Sequence, residues 1–281
     1  MGEERMLERY CLLGEDVSKS LSPPMMNAAF RSMSMDAAYE AVSVRTEEFR
    51  RRFLDLKEET SGMNLTIPYK SDVIPLLDGL DQVSARIGAV NVVEHAGTKW
   101  LGHNTDVNGI VAPLKEHRKD SVRSALLVGA GGAARAFCEA MNQIGCGRIT
   151  VAVREPSRGQ DFIGAMAKVF PAMKFGFTTL SRLQQTDADL IFNATPIGSA
   201  DHALPETLKR VIYGHSTVFD AVYRPMKTEL LRTAELRGCS TIYGYEMLLS
   251  QGTLAFEIWT GRQAPKETMK RALLDSLGVA A

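Results

Sequence analysis

The sequence predicts an α/β protein of two domains, and three observations carry that expectation. An apolar run at residues 125–128 leads into Gly129-Ala130-Gly131-Gly132-Ala133-Ala134, a Gly-x-Gly-x-x-Ala turn. A helical stripe of Phe137, Met141 and Ile144 follows, and then a second strand pattern at 148–153, so a whole strand–helix–strand unit is readable. Short strand-like and helical runs alternate on both sides of it, and the tail from Tyr245 holds two helical patterns with no strand between them.

The glycine turn points to a dinucleotide. Gly129 allows the tight turn, Gly131 lets the backbone approach a pyrophosphate, and Ala134 lets helix and strand pack closely. Gly132 and Ala133 open the helix, whose N-terminus supplies unpaired N–H groups and a positive dipole end. A plain structural turn in an ordinary α/β domain is the competing reading.

Composition sets the frame. The chain has 281 residues, 45% hydrophobic and 23% charged, long enough for two cores. Lys plus Arg and Asp plus Glu are both 33, and the pI is near 7.0, so nothing argues for nucleic acid or an anionic membrane as partner. The start has no apolar stretch like a signal peptide, and no uncharged run approaches the ~18 residues that span a bilayer. A cytoplasmic protein is expected. Cys11, Cys138, Cys146 and Cys239 form no C-x-x-C pair and read as small buried apolar residues. The five histidines show no i,i+4 pairing, so no metal is expected.

In chain order, residues 10–14 read as a strand and 24–33 as a helix, with Ser22 a possible N-cap. Residues 38–42 alternate like a strand, and 47–57 have helical spacing through Phe49, Phe53 and Leu56. Strands are expected at 62–66 and 89–93, then a helix from Thr105 to about His117. The polar stretch 116–121 reads as a link. Beyond Val153, a helix is expected at 162–170, strands at 189–193 and 217–220, a helix at 226–238, and a last strand at 239–243. Helices at 245–259 and 265–277 are expected to pack back on the first domain, with the ligand cleft between domains. The expected division is 1–108 with 245–281 for one domain and 109–244 for the other.

Polar residues gather where the early strands end. Asn64 and Thr66 are two apart and face one side in extended chain, and Lys70 follows a proline. Asn91 stands at a strand mouth, and Asn104-Thr105-Asp106 puts a carboxylate at a helix start.

These segments resemble the shikimate dehydrogenase family, including its quinate/shikimate relatives. The matching runs are Ser20-Leu21-Ser22-Pro23 with Asn27, Asn64 through Lys70, Gly88 through Asn91, and Asn104-Thr105-Asp106. In the second half they are Gly129 through Ala134, Asn193-Ala194-Thr195-Pro196, Asp220-Ala221-Val222-Tyr223-Arg224-Pro225, and Gly244-Tyr245-Glu246-Met247-Leu248 with Gln251. The resemblance runs through nearly the whole chain. It implies a substrate domain completed by the C-terminal helices, a Rossmann-type NADP-binding domain, and reversible reduction of 3-dehydroshikimate to shikimate by NADPH in aromatic amino acid biosynthesis.

Under that resemblance Lys70 is the proton donor and Asp106 orients it and accepts from a substrate hydroxyl. A solvated lysine and a plain helix cap are their bland alternatives. Ser20 and Ser22 would donate to the substrate carboxylate. Asn64, Thr66, Asn91, Tyr223 and Gln251 would supply neutral groups for the ring hydroxyls, a kind of site that rejects analogues lacking them. The alternative for Tyr223 is a packed core tyrosine and for Gln251 an exposed helical residue, and both rank below the serines. Asn193, Ala194 and Thr195 would border the nicotinamide, with Gly244 and Met247 beneath the ring.

The residues after the second strand of the glycine unit decide between a 2′-phosphate and a 2′-hydroxyl. Arg154 suits a phosphate, while Glu155, where the family commonly has threonine, suits an NAD ribose. Arg158 either adds positive charge or is plain surface. NADP is expected, with an NAD-preferring quinate/shikimate dehydrogenase as rival. A methylenetetrahydrofolate dehydrogenase shares the two-domain plan but not the Asn104–Asp106 segment, and loss of Lys70 or Asp106 would have favoured a non-catalytic nucleotide sensor, but both are present. Met26 replaces a family histidine at a position that reads as structural, and Lys19 replaces another before Ser20. The expected partner is a small-molecule substrate, and the protein is expected to be a monomer or homodimer.

Overall fold

The computed structural model describes residues 7–119, 121–184, 186–199 and 202–279. It divides into two compact units. One holds the chain up to Thr105 and again from Leu249 onward, and the other is Asp106–Leu248.

The first unit begins with β1 (Glu8–Gly14), α1 (Ser22–Ser32), β2 (Ala37–Ser43), α2 (Phe49–Glu59) and β3 (Gly62–Leu65). It continues with β4 (Gly79–Leu80), α3 (Gln82–Ile87), β5 (Val92–Ala96) and β6 (Lys99–His103). The strands form one mixed sheet in the order β2-β1-β3-β5-β6-β4. β1 runs parallel to both neighbours, and the direction reverses at β3–β5. Residues 10–14 of β1 are all buried because helices cover both faces. On α2, Phe49, Phe53 and Leu56 turn inward at helical spacing while arginines and glutamates face solvent.

The second unit runs through α4 (Asp106–Glu116), β7 (Ser124–Val128), α5 (Gly132–Gln143), β8 (Arg148–Val153), α6 (Pro156–Val169) and β9 (Lys174–Thr179). Then come β10 (Leu190–Asn193), α7 (Glu206–Arg210), β11 (Thr217–Asp220), α8 (Glu229–Leu236) and β12 (Ser240–Ile242). Its sheet is entirely parallel in the order β12-β11-β10-β7-β8-β9. The winding direction changes between β7 and β10, and in such sheets ligands bind outside the carboxyl ends of the strands at that switch point. Every residue of β7, β10 and β11 is buried. Phe192 stacks on Phe137 at 4.6 Å and meets Phe219 edge-on at 5.1 Å. Each such pair is worth about 0.5–1.5 kcal/mol beyond its burial.

Helix α9 (Gly244–Thr260) leads back to the first unit, followed by α10 (Lys266–Ser276). A side chain on Gly252 would run into Met25 of α1, so its absence lets the two helices touch. Trp259 Nε1 donates to the Val93 carbonyl at 3.0 Å, and its ring lies 4.9 Å from Tyr10. No helix among the described residues is long and apolar enough to cross a membrane.

Several boundaries differ from the sequence expectation. α1 starts at Ser22 rather than 24, because Pro23 and Pro24 suit its first turn. α8 spans 229–236 rather than 226–238, since the Thr228 hydroxyl accepts from Leu231 N and caps it there. α6 begins at Pro156 rather than 162, with that proline in its first turn. The ladder of β5 begins at Val92 rather than 89. β4, α3, β6, β9 and α7 are additional to the elements expected from the sequence.

Candidate active site

In the first unit, a buried tyrosine anchors the turn that carries Lys70. Beyond β3, Thr66 N donates to the Leu13 carbonyl at 3.0 Å and Tyr69 N to the Thr66 carbonyl at 2.9 Å. The Tyr69 hydroxyl donates to the buried Val44 carbonyl, and its ring stacks on Phe49 at 4.1 Å. Lys70 follows at once, half-buried, and its carbonyl accepts from Val90 N at 2.7 Å. The turn bearing the lysine is thereby tied to the stretch bearing Asn91.

Asn91 is the centre of a buried amide cluster. Its Oδ1 accepts from Thr105 N at 2.7 Å, and its Nδ2 donates to Thr105 Oγ1 at 3.0 Å and to Gln251 Oε1 at 3.3 Å. Gln251 is 9% exposed, which excludes the exposed-helix reading. Thr105 entered the sequence reading only as part of its motif, and the structure gives it a place of its own. Asp106 is the next residue, the first of α4, and 4% exposed. Asn64 is buried and engaged at both ends: Tyr39 donates its hydroxyl to Oδ1 at 2.6 Å, and Nδ2 donates to the Asn91 carbonyl at 3.0 Å. Thr66 is half-buried, and Gly14 leaves it room, since a Cβ there would lie 2.5 Å from Thr66 Cγ2.

Ser20 and Ser22 lie together, with Ser22 N donating to Ser20 Oγ at 3.2 Å. Ser22 is not the N-cap of α1; Leu21 holds that position, and no side chain caps the helix. Met26 is fully buried and Lys19 exposed.

At the end of β6, His103 stands between two carboxylates. Its Nε2 is 2.8 Å from Glu94 Oε2 and its Nδ1 3.6 Å from Asp81 Oδ2. Asp81, with Glu94 in support, raises the histidine's pKa above its ordinary value against the opposing effect of burial. Burial pushes the Asp81 carboxyl up, but bonds from His103 and Ser84 outweigh it and hold the group below its usual value.

In the second unit, Gly129 has φ +110°, and a Cβ on it would lie 2.7 Å from Thr195 Cγ2 and 3.3 Å from the Ala194 carbonyl oxygen. The glycine turn after β7 and the 193–195 segment after β10 therefore meet at the switch point. A Cβ on Gly131 would meet no protein atom within 4 Å, so the space over the start of α5 is open. Ala130, Gly132 and Ala133 are half-buried around it. This cradle fits a dinucleotide pyrophosphate, with helix N–H groups facing the opening.

Asn193 is fully buried; its Oδ1 accepts from Thr195 N at 3.1 Å and Thr195 Oγ1 at 2.7 Å. Tyr223 follows β11 half-buried in a loop, so the packed-core reading fails. A Cβ on Gly244 would lie 2.7 Å from the Ala221 carbonyl oxygen, which holds the start of α9 against the loop of Tyr223. Met247 is buried, whereas Arg154, Glu155 and Arg158 are exposed beyond β8. All four cysteines are buried free thiols. Among the described residues no group of three or more His, Cys, Asp or Glu side chains is placed to hold a metal ion.

Residues 12–93 match the model of the shikimate dehydrogenase substrate binding domain, and 244–274 that of the shikimate 5′-dehydrogenase C-terminal domain. Shikimate dehydrogenase (NADP(+)) of Moorella thermoacetica is 39% identical over 277 residues, covering 95% of this chain and 92% of its own. The crystal structure of shikimate 5-dehydrogenase from Thermus thermophilus, in complex with NADP(H) and shikimate, is 32% identical with a TM-score of 0.84, covering 96% and 100% of the two chains. Quinate dehydrogenase from Corynebacterium glutamicum, in complex with NAD, is 28% identical with a TM-score of 0.86, covering 95% and 99%. On near-full-length identity and a shared architecture, the chain belongs to the shikimate dehydrogenase family.

Proposed function

We propose that this chain reduces 3-dehydroshikimate to shikimate, reversibly, with NADPH. The observation that carries the reading is the buried Asn91–Thr105–Gln251 cluster, a set of neutral hydrogen-bonding groups directly preceding the carboxylate of Asp106. Such neutral donors and acceptors suit vicinal hydroxyls, and a site built to pair hydroxyls discriminates against analogues lacking them.

When bound, NADPH would supply the hydride to the ketone carbon. Lys70 donates the proton to the carbonyl oxygen, completing the alcohol, and takes it back in the reverse direction. Asp106 accepts from a substrate hydroxyl and orients the ammonium. Ser20 and Ser22 donate to the substrate carboxylate without adding a charge, and Asn64, Thr66 and Tyr223 supply neutral groups for its hydroxyls. Gly129–Ala133 would cradle the pyrophosphate, Ala194 and Thr195 with Gly244 and Met247 would hold the nicotinamide, and Arg154 would receive the 2′-phosphate. The buried thiols suit a cytoplasmic location. The protein acts as a monomer or homodimer.

A second reading rests on Glu155, whose exposed carboxylate beside Arg154 disfavours a phosphate and favours an NAD ribose. The test follows nicotinamide absorbance with shikimate or quinate and NADP or NAD in all combinations. Fastest turnover with shikimate and NADP is expected. Faster turnover with quinate and NAD establishes the second reading, and silence throughout would leave a nucleotide-binding protein without this activity.

A further inference from the structure

We infer that Asp220 is a positioning residue for the dinucleotide, acting through Asn193 to fix Thr195 against the glycine turn. This rests on the reading of Ala194 and Thr195 as the border of the nicotinamide.

A carboxamide has two ends of nearly equal shape and opposite hydrogen-bonding sense. Asn193 Nδ2 donates to Asp220 Oδ1 at 2.8 Å and to the Ile197 carbonyl at 2.8 Å. Only the amino end can face a carboxylate, so Asp220 decides which end is left for Thr195. The remaining oxygen then accepts both the N–H and the hydroxyl of Thr195, whose Oγ1 in turn accepts from Ile197 N at 3.2 Å. With its hydroxyl held inward, Thr195 presents its methyl group to Gly129. Turned over, Asn193 would set its oxygen against Asp220 and its amino group against the Thr195 N–H, losing both sets of bonds.

Asp220 is itself held from three sides. Oδ1 also accepts from Val222 N at 3.0 Å, and Oδ2 from the Thr228 hydroxyl at 2.6 Å. The residue is 0% exposed, and burial pushes its carboxyl up to about 6 against the bonds from Thr228, Val222 and Asn193. Asn193, which the family resemblance would set at the nicotinamide, is equally inaccessible, so in this proposal both residues act through Thr195 rather than by direct contact.

The test measures binding of NADPH, and of 2′-phospho-ADP-ribose, which lacks the nicotinamide, to the wild type, Asp220→Asn and Asn193→Ala. Thermal melts run alongside. Asp220→Asn is nearly isosteric but removes the charge that selects the amide orientation. NADPH binding is expected to weaken about tenfold in both variants, or ~1.4 kcal/mol, while 2′-phospho-ADP-ribose binds within about twofold of wild type, a difference well under that figure. Equal weakening of both ligands, as general loosening would cause, overturns the proposal, and so does unchanged NADPH binding. If the wild type binds NADH in place of NADPH, the same comparison is made with NADH and ADP-ribose. A wild type that binds neither dinucleotide overturns the cofactor reading itself, and this proposal with it.

Discussion

Asn91 and Thr105 hold each other reciprocally: the asparagine oxygen accepts the threonine N–H at 2.7 Å, and its amino group donates to the threonine hydroxyl at 3.0 Å. This pair fixes the backbone immediately before Asp106 and aims the Asn91 carboxamide at Gln251. Thr105→Val keeps the shape and removes the hydroxyl. It should cost about 1 kcal/mol of stability, the net worth of one buried hydrogen bond, and raise KM for shikimate several-fold with little change in kcat. Steady-state kinetics with an unchanged KM would refute an orienting role for this pair.

Lys70→Ala tests the proton donor. General acid–base help is worth roughly 10²–10⁴-fold, so kcat should drop by that factor while the KM for shikimate moves little. A variant that retains wild-type kcat would mean the proton comes from elsewhere.

His103 links stability to pH. Its folded pKa stands above the ordinary 6.5 because Asp81 and then Glu94 bond the charged ring more strongly than burial opposes it. A raised histidine contributes fully below its unfolded pKa and loses that contribution as pH climbs through the folded value. The Tm difference between wild type and His103→Gln should therefore be largest at mildly acidic pH, where Asp81 remains ionised, and shrink above neutrality. A difference that grows with pH would contradict this.

Gly129→Ala would set a Cβ 2.7 Å from Thr195 Cγ2 at a φ of +110°. Holding a non-glycine residue there costs on the order of 1–3 kcal/mol. Calorimetry should show a lower Tm and weaker NADPH binding. Wild-type binding would show that the turn has room to spare.

Glu155→Thr should shift preference toward NADP. Removing a carboxylate from beside a phosphate is expected to raise the ratio of kcat/KM for NADP to that for NAD about tenfold, equivalent to ~1.4 kcal/mol. A ratio that stays flat would mean Glu155 points away from the ribose.

The elements that could be read in advance are those whose burial is written into composition. β7, β10 and β11 are buried at every position and appear as continuous apolar runs. β9 is an edge strand, with Lys174 and Phe177 exposed and Gly176 in its middle, so it carries no clean alternation. β6 and α3 do carry local signals in the sequence. A two-residue turn holding Gly97 at φ +67° joins β5 to β6, while Asp81 and left-handed Gly88 cap the ends of α3. At the candidate site, motif residues could be picked out one by one, but their pairings could not. Asn91 and Gln251 are 160 residues apart, and no local pattern announces that contact. Asp220 was visible only as the start of a motif; its hold on Asn193 depends on two neighbouring parallel strands ending in register.

The return of α9 to the first unit has a consequence for the order in which the protein is made. The strands around β1 are translated before the 106–248 segment, but Phe256 and Trp259, which pack on Phe30 and Tyr10, only after it. Until then the nascent chain shows those rings to water and to any chaperone nearby. Gln251 lies on that same helix, so the amide cluster can close only after the 106–248 segment has been made.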